Sequence, residues 1–351
     1  MVNPIYKKIY QKIKKYDTIV VARHIGPDPD AVTTEIALRD SIRETFPNKK
    51  VYAVGSGVAR FKTYGTLDKI NEDELVNPLL IVVDVPNIYR IDGITFSKYS
   101  EVIKIDHHPF EDKMGDVELV DTTSCSAAQL VTELIFNTKL KMPLHVAENL
   151  FCGIVSDSDR FLLPYTTAKT FKLVSRLIEE TNLDFSKLYV KLYERPLNEI
   201  RFQGYLAENL ILTENGFAYT KIDNELIEKF GVDSGTASNM VNNFNFIKEV
   251  KAWAFISYDT KNKVYKVNIR SRGPVINEIA AKYNGGGHAF ASGVRTPNEE
   301  DIDNLCTVLK DRFGKVTDDM LVYMYEEWFE KLAKKYNINQ VIQTDRSIEI
   351  T

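Results

Sequence analysis

Four separated segments of the chain concentrate acids and imidazoles: His24, Asp28 and Asp30; Asp84; Asp106, His107 and His108; and Asp157. Carboxylate oxygens mixed with imidazole nitrogens suit Mn²⁺, Mg²⁺, Co²⁺, Fe²⁺ or Zn²⁺, and a set without thiolates argues against a structural zinc site. With about six ligands, one ion would leave several carboxylates unneutralised, whereas two ions about 3.5–4 Å apart that share an aspartate balance the charge. Each segment also has a plainer explanation. His-x-x-x-Asp-x-Asp with Pro27 and Pro29 suits a turn, and a lone Asp84 after a strand suits a helix cap. One histidine of an adjacent pair is often a hydrogen-bonding residue, and Asp157 alone is a helix-end acid. These readings do not explain the coincidence: of the chain's 5 histidines, His24, His107 and His108 fall in these segments and His288 in a glycine-rich feature further on, with only His145 in neither, and every acid falls at an expected strand or helix end.

The last of those histidines belongs to a second feature, Gly285-Gly286-Gly287-His288-Ala289-Phe290-Ala291-Ser292-Gly293, which follows Ile269-Arg270-Ser271-Arg272-Gly273. Consecutive glycines let backbone N–H groups approach a ligand closely, and Arg270, Arg272 and His288 beside them suit a phosphate or a base. Without the histidine and arginines, a helix C-cap and a turn would explain the glycines.

The elements that must position these residues follow from the hydrophobic pattern. Short β-branched runs at Thr18–Ala22, Val51–Val54, Leu79–Asp84 and Val102–Asp106 alternate with longer amphipathic stretches. That rhythm predicts an α/β fold with a mostly parallel sheet flanked by helices. Three of the strands run into acids or histidine at their C-terminal ends, the edge where open α/β sheets bind ligands. Helices are expected at Ser124–Phe136, Leu144–Ser156 and Ala168–Glu180. From about Glu199 the pattern changes to hairpin-like strands, Gly216–Ile222, Ala252–Tyr258 and Lys263–Arg270, and a helix, Val275–Tyr283, as in a smaller α+β domain. The expected division is a catalytic domain over 1–185, a helical connector over 186–199, a substrate-binding domain over 200–317, and a C-terminal helix and tail over 318–351. The active site is expected in the cleft between the two domains.

Composition bounds the function. With 44% hydrophobic residues the chain is globular, and a net charge of −4 gives it no electrostatic reason to coat long duplex nucleic acid or an anionic membrane. The 3 cysteines, Cys125, Cys152 and Cys306, form no Cys-x-x-Cys unit, which fits a reducing cytoplasm. Met1–Tyr16 spaces Tyr6, Ile9, Tyr10 and Ile13 as an amphipathic surface helix and lacks a signal-peptide core. No apolar run is long enough to span a membrane.

The ordered set Arg-His-Ile-Gly-Pro-Asp-Pro-Asp, Val-Val-Asp, Ile-Asp-His-His-Pro, Gly-Ile-Val-Ser-Asp-Ser and Gly-Gly-Gly-His-Ala-Phe-Ala-Ser-Gly resembles the DHH phosphoesterase superfamily with its DHH-associated C-terminal domain. The likeness runs over residues 15–315 and points to the branch of oligoribonuclease/pAp phosphatases and pApA phosphodiesterases. It implies that His24 and Asp28 hold one Mn²⁺, that Asp30, His107 and Asp157 hold the other, and that Asp84 bridges them. It implies further that Asp106 orients an adjacent histidine, that His108 faces the scissile phosphate, and that Arg270, His288 and Gly285–Gly287 bind the terminal phosphate or base. Mg²⁺ or Co²⁺ would serve in place of Mn²⁺. Pro29 and Asp159 stand where the family commonly has glycine, Thr33 and Thr34 where it has Gly-Ser, and Ser158 where it has threonine; none of these changes removes a ligand. The expected substrates are small nucleotides or short single-stranded RNA. A pyrophosphatase or exopolyphosphatase, a processive exonuclease and a non-catalytic nucleotide sensor are the competing readings, and a homodimer is left open.

Overall fold

The computed structural model describes residues 4–57, 59–163, 165–260, 262–314, 341–344 and 347–350, so the helix expected near residues 318–336 lies outside the described residues. The chain forms two compact units, Met1–Glu194 and Arg195–Thr351.

In the first unit, α1 (Pro4–Lys15) buries Tyr6, Ile9 and Ile13, a helical spacing that packs one face and leaves the lysines in water. The strands β1 (Thr18–Ala22), β2 (Lys50–Ala53), β3 (Leu79–Val83), β4 (Glu101–Asp106) and β5 (Val117–Val120) form one sheet in the order β2-β1-β3-β4-β5. All four pairings are parallel. β1 and β3 are buried at every position, as continuous β-branched and leucine runs in a parallel sheet require. One face, through Ile19, Val21, Ile81, Val83, Ile103 and Ile105, meets the apolar stripes of α1, α2 (Pro29–Thr45), α3 (Ala127–Phe136), α4 (Leu144–Asp157), α5 (Ala168–Thr181) and α6 (Phe185–Tyr193). The other face, through Val20, Ala22, Leu80, Val82 and Val102, is covered by Val54, Val85, Ile91, Tyr99 and Met114 from connecting segments. Because β1, β3 and β4 are neighbours, their C-terminal ends deliver His24, Asp84 and Asp106–His108 to one edge.

The stretch expected as a connector contains α6, whose Leu188 and Leu192 enter the first unit's core. The second unit begins with α7 (Leu197–Glu208). Its strands are β6 (Ile211–Leu212), β7 (Phe217–Ile222), β8 (Ala252–Asp259), β9 (Val264–Ser271), β10 (Gly286–His288) and β11 (Ala291–Thr296). They lie in the order β10-β11-β9-β8-β7-β6. β8 and β9 make the expected hairpin, but β7 pairs parallel to β8, because the two are joined by a crossover carrying α8 (Asn224–Phe230) and α9 (Ser234–Asn239). One face packs on α10 (Asn277–Ala281) and α11 (Glu299–Gly314), and the other on α7, α8, α9 and Met240–Phe244. A further antiparallel pair joins β12 (Val341–Thr344) and β13 (Ser347–Ile350).

Candidate metal centre

His24 follows β1 and is 5% exposed. Its Nδ1 lies 3.1 Å from the Ile25 carbonyl, an acceptor that calls for a proton on Nδ1, and Nε2 faces the carboxylates of Asp28 and Asp84, 3.8 and 3.5 Å away. Gly26 turns the chain with φ +67, and Pro29 opens α2 in its first turn. Asp28 caps that helix: Oδ1 accepts the Ala31 N–H at 3.0 Å, while Oδ2 is the oxygen near His24. The turn-and-cap explanation and the ligand explanation are therefore compatible, on different atoms of one carboxylate.

Asp30, 1% exposed, is gripped from the other side by the N-terminus of α3. Its Oδ2 accepts from Ala127 N–H at 2.8 Å and its Oδ1 from Ala128 N–H at 3.0 Å and Thr34 Oγ1 at 3.1 Å. Thr34 thus keeps a hydroxyl on Asp30 at the position compared above with serine. A Cβ at Gly153 of α4 would lie 2.7 Å from Asp30 Oδ1, Thr33 Oγ1 and Ala128 Cβ alike. Gly153→Ala is therefore expected to lose stability on the order of 1 kcal/mol, since overpacking outweighs the better helix propensity of alanine. It should also weaken Mn²⁺ binding by moving Asp30; a calorimetric titration giving wild-type affinity would remove Gly153 from the account.

Asp84 leaves β3 with φ +58, a conformation aspartate tolerates and most residues avoid. It caps no helix. It is 2% exposed, and its Oδ1 accepts no hydrogen bond among the described residues, although His107 Nε2 and His108 Nδ1 stand 3.3 and 3.5 Å from it. His107 Nε2 is also 3.3 Å from Asp157 Oδ2 at the end of α4. Three overlapping groups result, His24/Asp28/Asp84, Asp30/His107/Asp157 and Asp84/His107/His108, each with its ligand atoms within 4.8 Å of one another. His108 is held differently from His107: its Nδ1 lies 2.8 Å from Oδ1 of the fully buried Asp106. Beyond Asp157, Ser158 Oγ donates to the Ile154 carbonyl at 2.6 Å, and Asp159, Arg160 and Phe161 all have left-handed φ, 45, 62 and 68. Asp159 thus adopts the conformation that a glycine at this position favours.

The electrostatics describe a centre short of positive charge. Burial opposes charge on His24, yet Asp28 and Asp84 outweigh it and push the imidazole up to about 10. Burial and the charge of Asp84 push Asp30 up to about 7. Burial also works against a charged Asp84, but His107 and His24 hold its carboxyl far below the usual range. The surrounding carboxylates thus favour protons on His24 and His107, and burial favours one on Asp30, where cations would otherwise balance the charge. The donor set, the unpartnered Asp84 oxygen and the Nδ1-anchored His24 all fit divalent metal, whose binding would displace these protons.

In the second unit, Arg270 on β9 donates through Nε to Asn242 Oδ1 at 2.9 Å and through Nη1 to the Ile269 carbonyl at 2.9 Å. No carboxylate pairs with it among the described residues, and burial pushes its guanidinium down to about 10. Register aligns Arg270 with Ala291, and Ala291 with His288. Arg272 is placed otherwise, donating to the carbonyls of Ile247 (2.6 Å), Lys248 and Val250, so its fork braces a loop. The glycines also divide. A Cβ on Gly285 or Gly287 would strike β11 backbone at 2.3 or 2.5 Å, whereas one on Gly286 would meet nothing. Two of the three glycines are thus needed for strand packing, and one leaves open space on the edge strand.

Residues 18–154 match the DHH family N-terminal domain, and residues 214–315 match the DHHA1 domain. A Bacillus subtilis protein named bifunctional oligoribonuclease and PAP phosphatase NrnA is 37% identical over 86% of this chain and 97% of its own length. The chain belongs to the DHH family. A Streptococcus mutans relative, named a probable NrnA, is 36% identical over 87% of this chain and 99% of that one. Among solved structures, an exopolyphosphatase-related protein from Bacteroides fragilis superposes with a TM-score of 0.78 at 22% identity, covering 89% of this chain and 98% of that one, and so shares the fold. DHH phosphoesterases are metal-dependent, and the groups that could hold a metal here come from the ends of β1, β3, β4 and α4 and the start of α2.

Two charged residues of this DHH domain escaped the reading of the sequence. Arg23, fully buried, donates to the His24 carbonyl at 2.9 Å, Asp92 Oδ2 at 2.7 Å and the Ser56 carbonyl at 2.6 Å, with buried Glu35 3.4 Å away. It ties the backbone of a candidate ligand to two loops. Lys104, also fully buried, lies within β4. A lysine inside Val-Ile-Lys-Ile-Asp was the signal available, because an apolar strand buried on both faces rarely keeps an unpaired ammonium.

Proposed function

We propose that this chain is a metal-dependent phosphohydrolase that cleaves short oligoribonucleotides, dinucleotides such as pApA, and 3′-phosphoadenosine 5′-phosphate to AMP. The observation that carries the reading is the convergence of His24, Asp28 and Asp84 with Asp30, His107 and Asp157 at one sheet edge, in a chain so similar to relatives named oligoribonuclease and PAP phosphatase. His24 and Asp28 would hold one divalent cation, Asp30, His107 and Asp157 a second, and Asp84 both. Mn²⁺ suits this oxygen-and-imidazole set, and Mg²⁺ or Co²⁺ would substitute. Bound cations would supply Lewis acidity at the phosphoryl oxygens and a more acidic attacking water.

The protein's own groups do the rest. Water attacks phosphorus in line, the P–O bond to the leaving group breaks, and the leaving oxygen takes a proton. Asp106 would keep the His108 ring oriented through Nδ1, and His108 Nε2 would take a proton released by the attacking water and pass it to that oxygen. Arg270 and the backbone at Gly286 bind the terminal phosphate or base. Inorganic polyphosphate has no base to use such a site, which disfavours the pyrophosphatase reading. Neither a membrane nor a long duplex is expected as partner: no described helix is long and apolar enough to cross a bilayer, and the net charge is −4. All three cysteines are free and buried, in keeping with a cytoplasmic enzyme.

The deciding experiment is Mn²⁺-dependent turnover of 3′-phosphoadenosine 5′-phosphate, pApA and a five-nucleotide RNA, with pyrophosphate and polyphosphate alongside. Release of AMP or mononucleotides supports the reading and ranks the substrates. Turnover of polyphosphate alone would support the alternative, and no turnover of any would favour a sensor.

A further inference from the structure

Lys104 has no part in the ligand groups, yet it lies directly behind them. Its register partner on β3 is Val82, on the sheet face lined by Leu80, Val102 and Met114, where packing alone calls for an apolar side chain. The ammonium has three neighbours. Nζ donates to the Pro86 carbonyl at 2.9 Å, lies 3.4 Å from Asp106 Oδ2, and sits 5.8 Å from the centre of the Phe110 ring. Asp106 Oδ2 is buried and accepts no hydrogen bond among the described residues, so the lysine supplies its charge partner. The other oxygen of the same carboxylate, Oδ1, receives the His108 backbone N–H at 3.3 Å and holds His108 Nδ1 at 2.8 Å. One ammonium therefore joins the segment after Asp84 to the segment that carries His107 and His108.

We infer that Lys104 is a positioning residue for His108. By pinning Oδ2, it leaves the Asp106 carboxylate a single orientation, with Oδ1 toward the imidazole. That fixes the proton on Nδ1 and presents Nε2 to the leaving oxygen. Were Lys104 present only to brace the fold, a neutral side chain that keeps the contact with Pro86 would serve as well. Were it needed for metal, its loss would show in metal affinity. The inference rests on the phosphohydrolase reading for its kinetic consequence but not for its structural one.

The test uses the full chain with Lys104→Met and Lys104→Gln, the second retaining a donor for Pro86 without the charge. Both are expected to lower kcat about tenfold or more, as losses behind a catalytic group do, with KM and Mn²⁺ half-saturation unchanged. In a His108→Ala background neither should lower kcat further, because the residue through which Lys104 acts is gone. Nitrogen-15 NMR of the Mg²⁺-loaded protein should show the His108 Nδ1–H tautomer in wild type and its loss in both variants. A full additional loss of kcat in the His108→Ala background, or an unaltered His108 tautomer, overturns the inference. The Gln variant carries the test if the Met variant does not fold. If the wild type turns over no substrate, the hydrolase reading fails, and the NMR comparison still decides the role of Lys104.

Discussion

Asp84→Asn is expected to abolish turnover, lowering kcat by about a thousandfold or more while leaving the fold intact. The choice of asparagine matters. At φ +58 asparagine sits as comfortably as aspartate, whereas alanine would add a backbone penalty that confuses loss of a ligand with loss of structure. Asp84 belongs to two of the three overlapping ligand groups. It is the carboxylate that both His24 and His107 approach, at 3.5 and 3.3 Å, so its charge is shared between the two halves of the centre. A cation contributes several kcal/mol to a phosphoryl-transfer barrier, and about 4 kcal/mol corresponds to the thousandfold loss. The independent readout is thermal. Mn²⁺ should raise the unfolding midpoint of the wild type, because a ligand that binds only the folded state stabilises it by mass action. The same addition should leave Asp84→Asn nearly where it was. An asparagine variant that still gained full stabilisation from Mn²⁺ would show that Asp84 is not the shared ligand, and the pairing of the two groups would have to be redrawn around His107.

The legibility of this centre in the sequence was uneven, for physical reasons. Continuous apolar runs such as Thr18–Ala22 and Leu79–Val83 have one stable environment, a doubly covered parallel sheet, so the strands and their acidic ends were readable from local pattern. That β1, β3 and β4 stand side by side follows from pairing, which local pattern does not encode, but any order that left their ends together would have given the same edge. The second unit was harder. The run that forms β7 has the pattern of one more hairpin-like strand, and nothing local shows that the connecting helices α8 and α9 set β8 parallel to it. The glycine run suggests ligand approach, and Gly285 and Gly287 have a second reason in the close packing of β10 on β11, a contact visible only once the pair is formed. Arg272 and Arg270 stand two residues apart on the same sequence pattern; what separates them is that one meets the carbonyls of 247–250 and the other does not. Arg23 and Lys104 were passed over because charged residues default to the surface, and here burial with carboxylates is what gives them work.

Arg270→Met should lower kcat/KM about 100-fold or more and at the same time leave the protein as stable or make it more so. The two effects have one cause. The guanidinium is half-buried, and among the described residues it has the Asn242 amide oxygen and the Ile269 carbonyl as acceptors and no acid to compensate. That partial burial pushes it down to about 10. A buried cation without a counter-charge costs stability, and a methionine of similar length removes the cost while keeping the packing. An arriving phosphate supplies the missing charge through charge-assisted hydrogen bonds worth about 1.5–3 kcal/mol each, and two of them give the stated loss. Arg270→Lys should not restore the activity, since an ammonium lacks the planar fork. If Arg270 grips a part of the substrate remote from the scissile bond, the loss falls mainly on KM, and metal-dependent cleavage of an activated phosphodiester that carries no nucleotide should be unaffected. Unchanged KM and kcat for pApA in the methionine variant would take Arg270 out of the substrate site. A fall in thermal midpoint would show that an acid outside the described residues completes the pair.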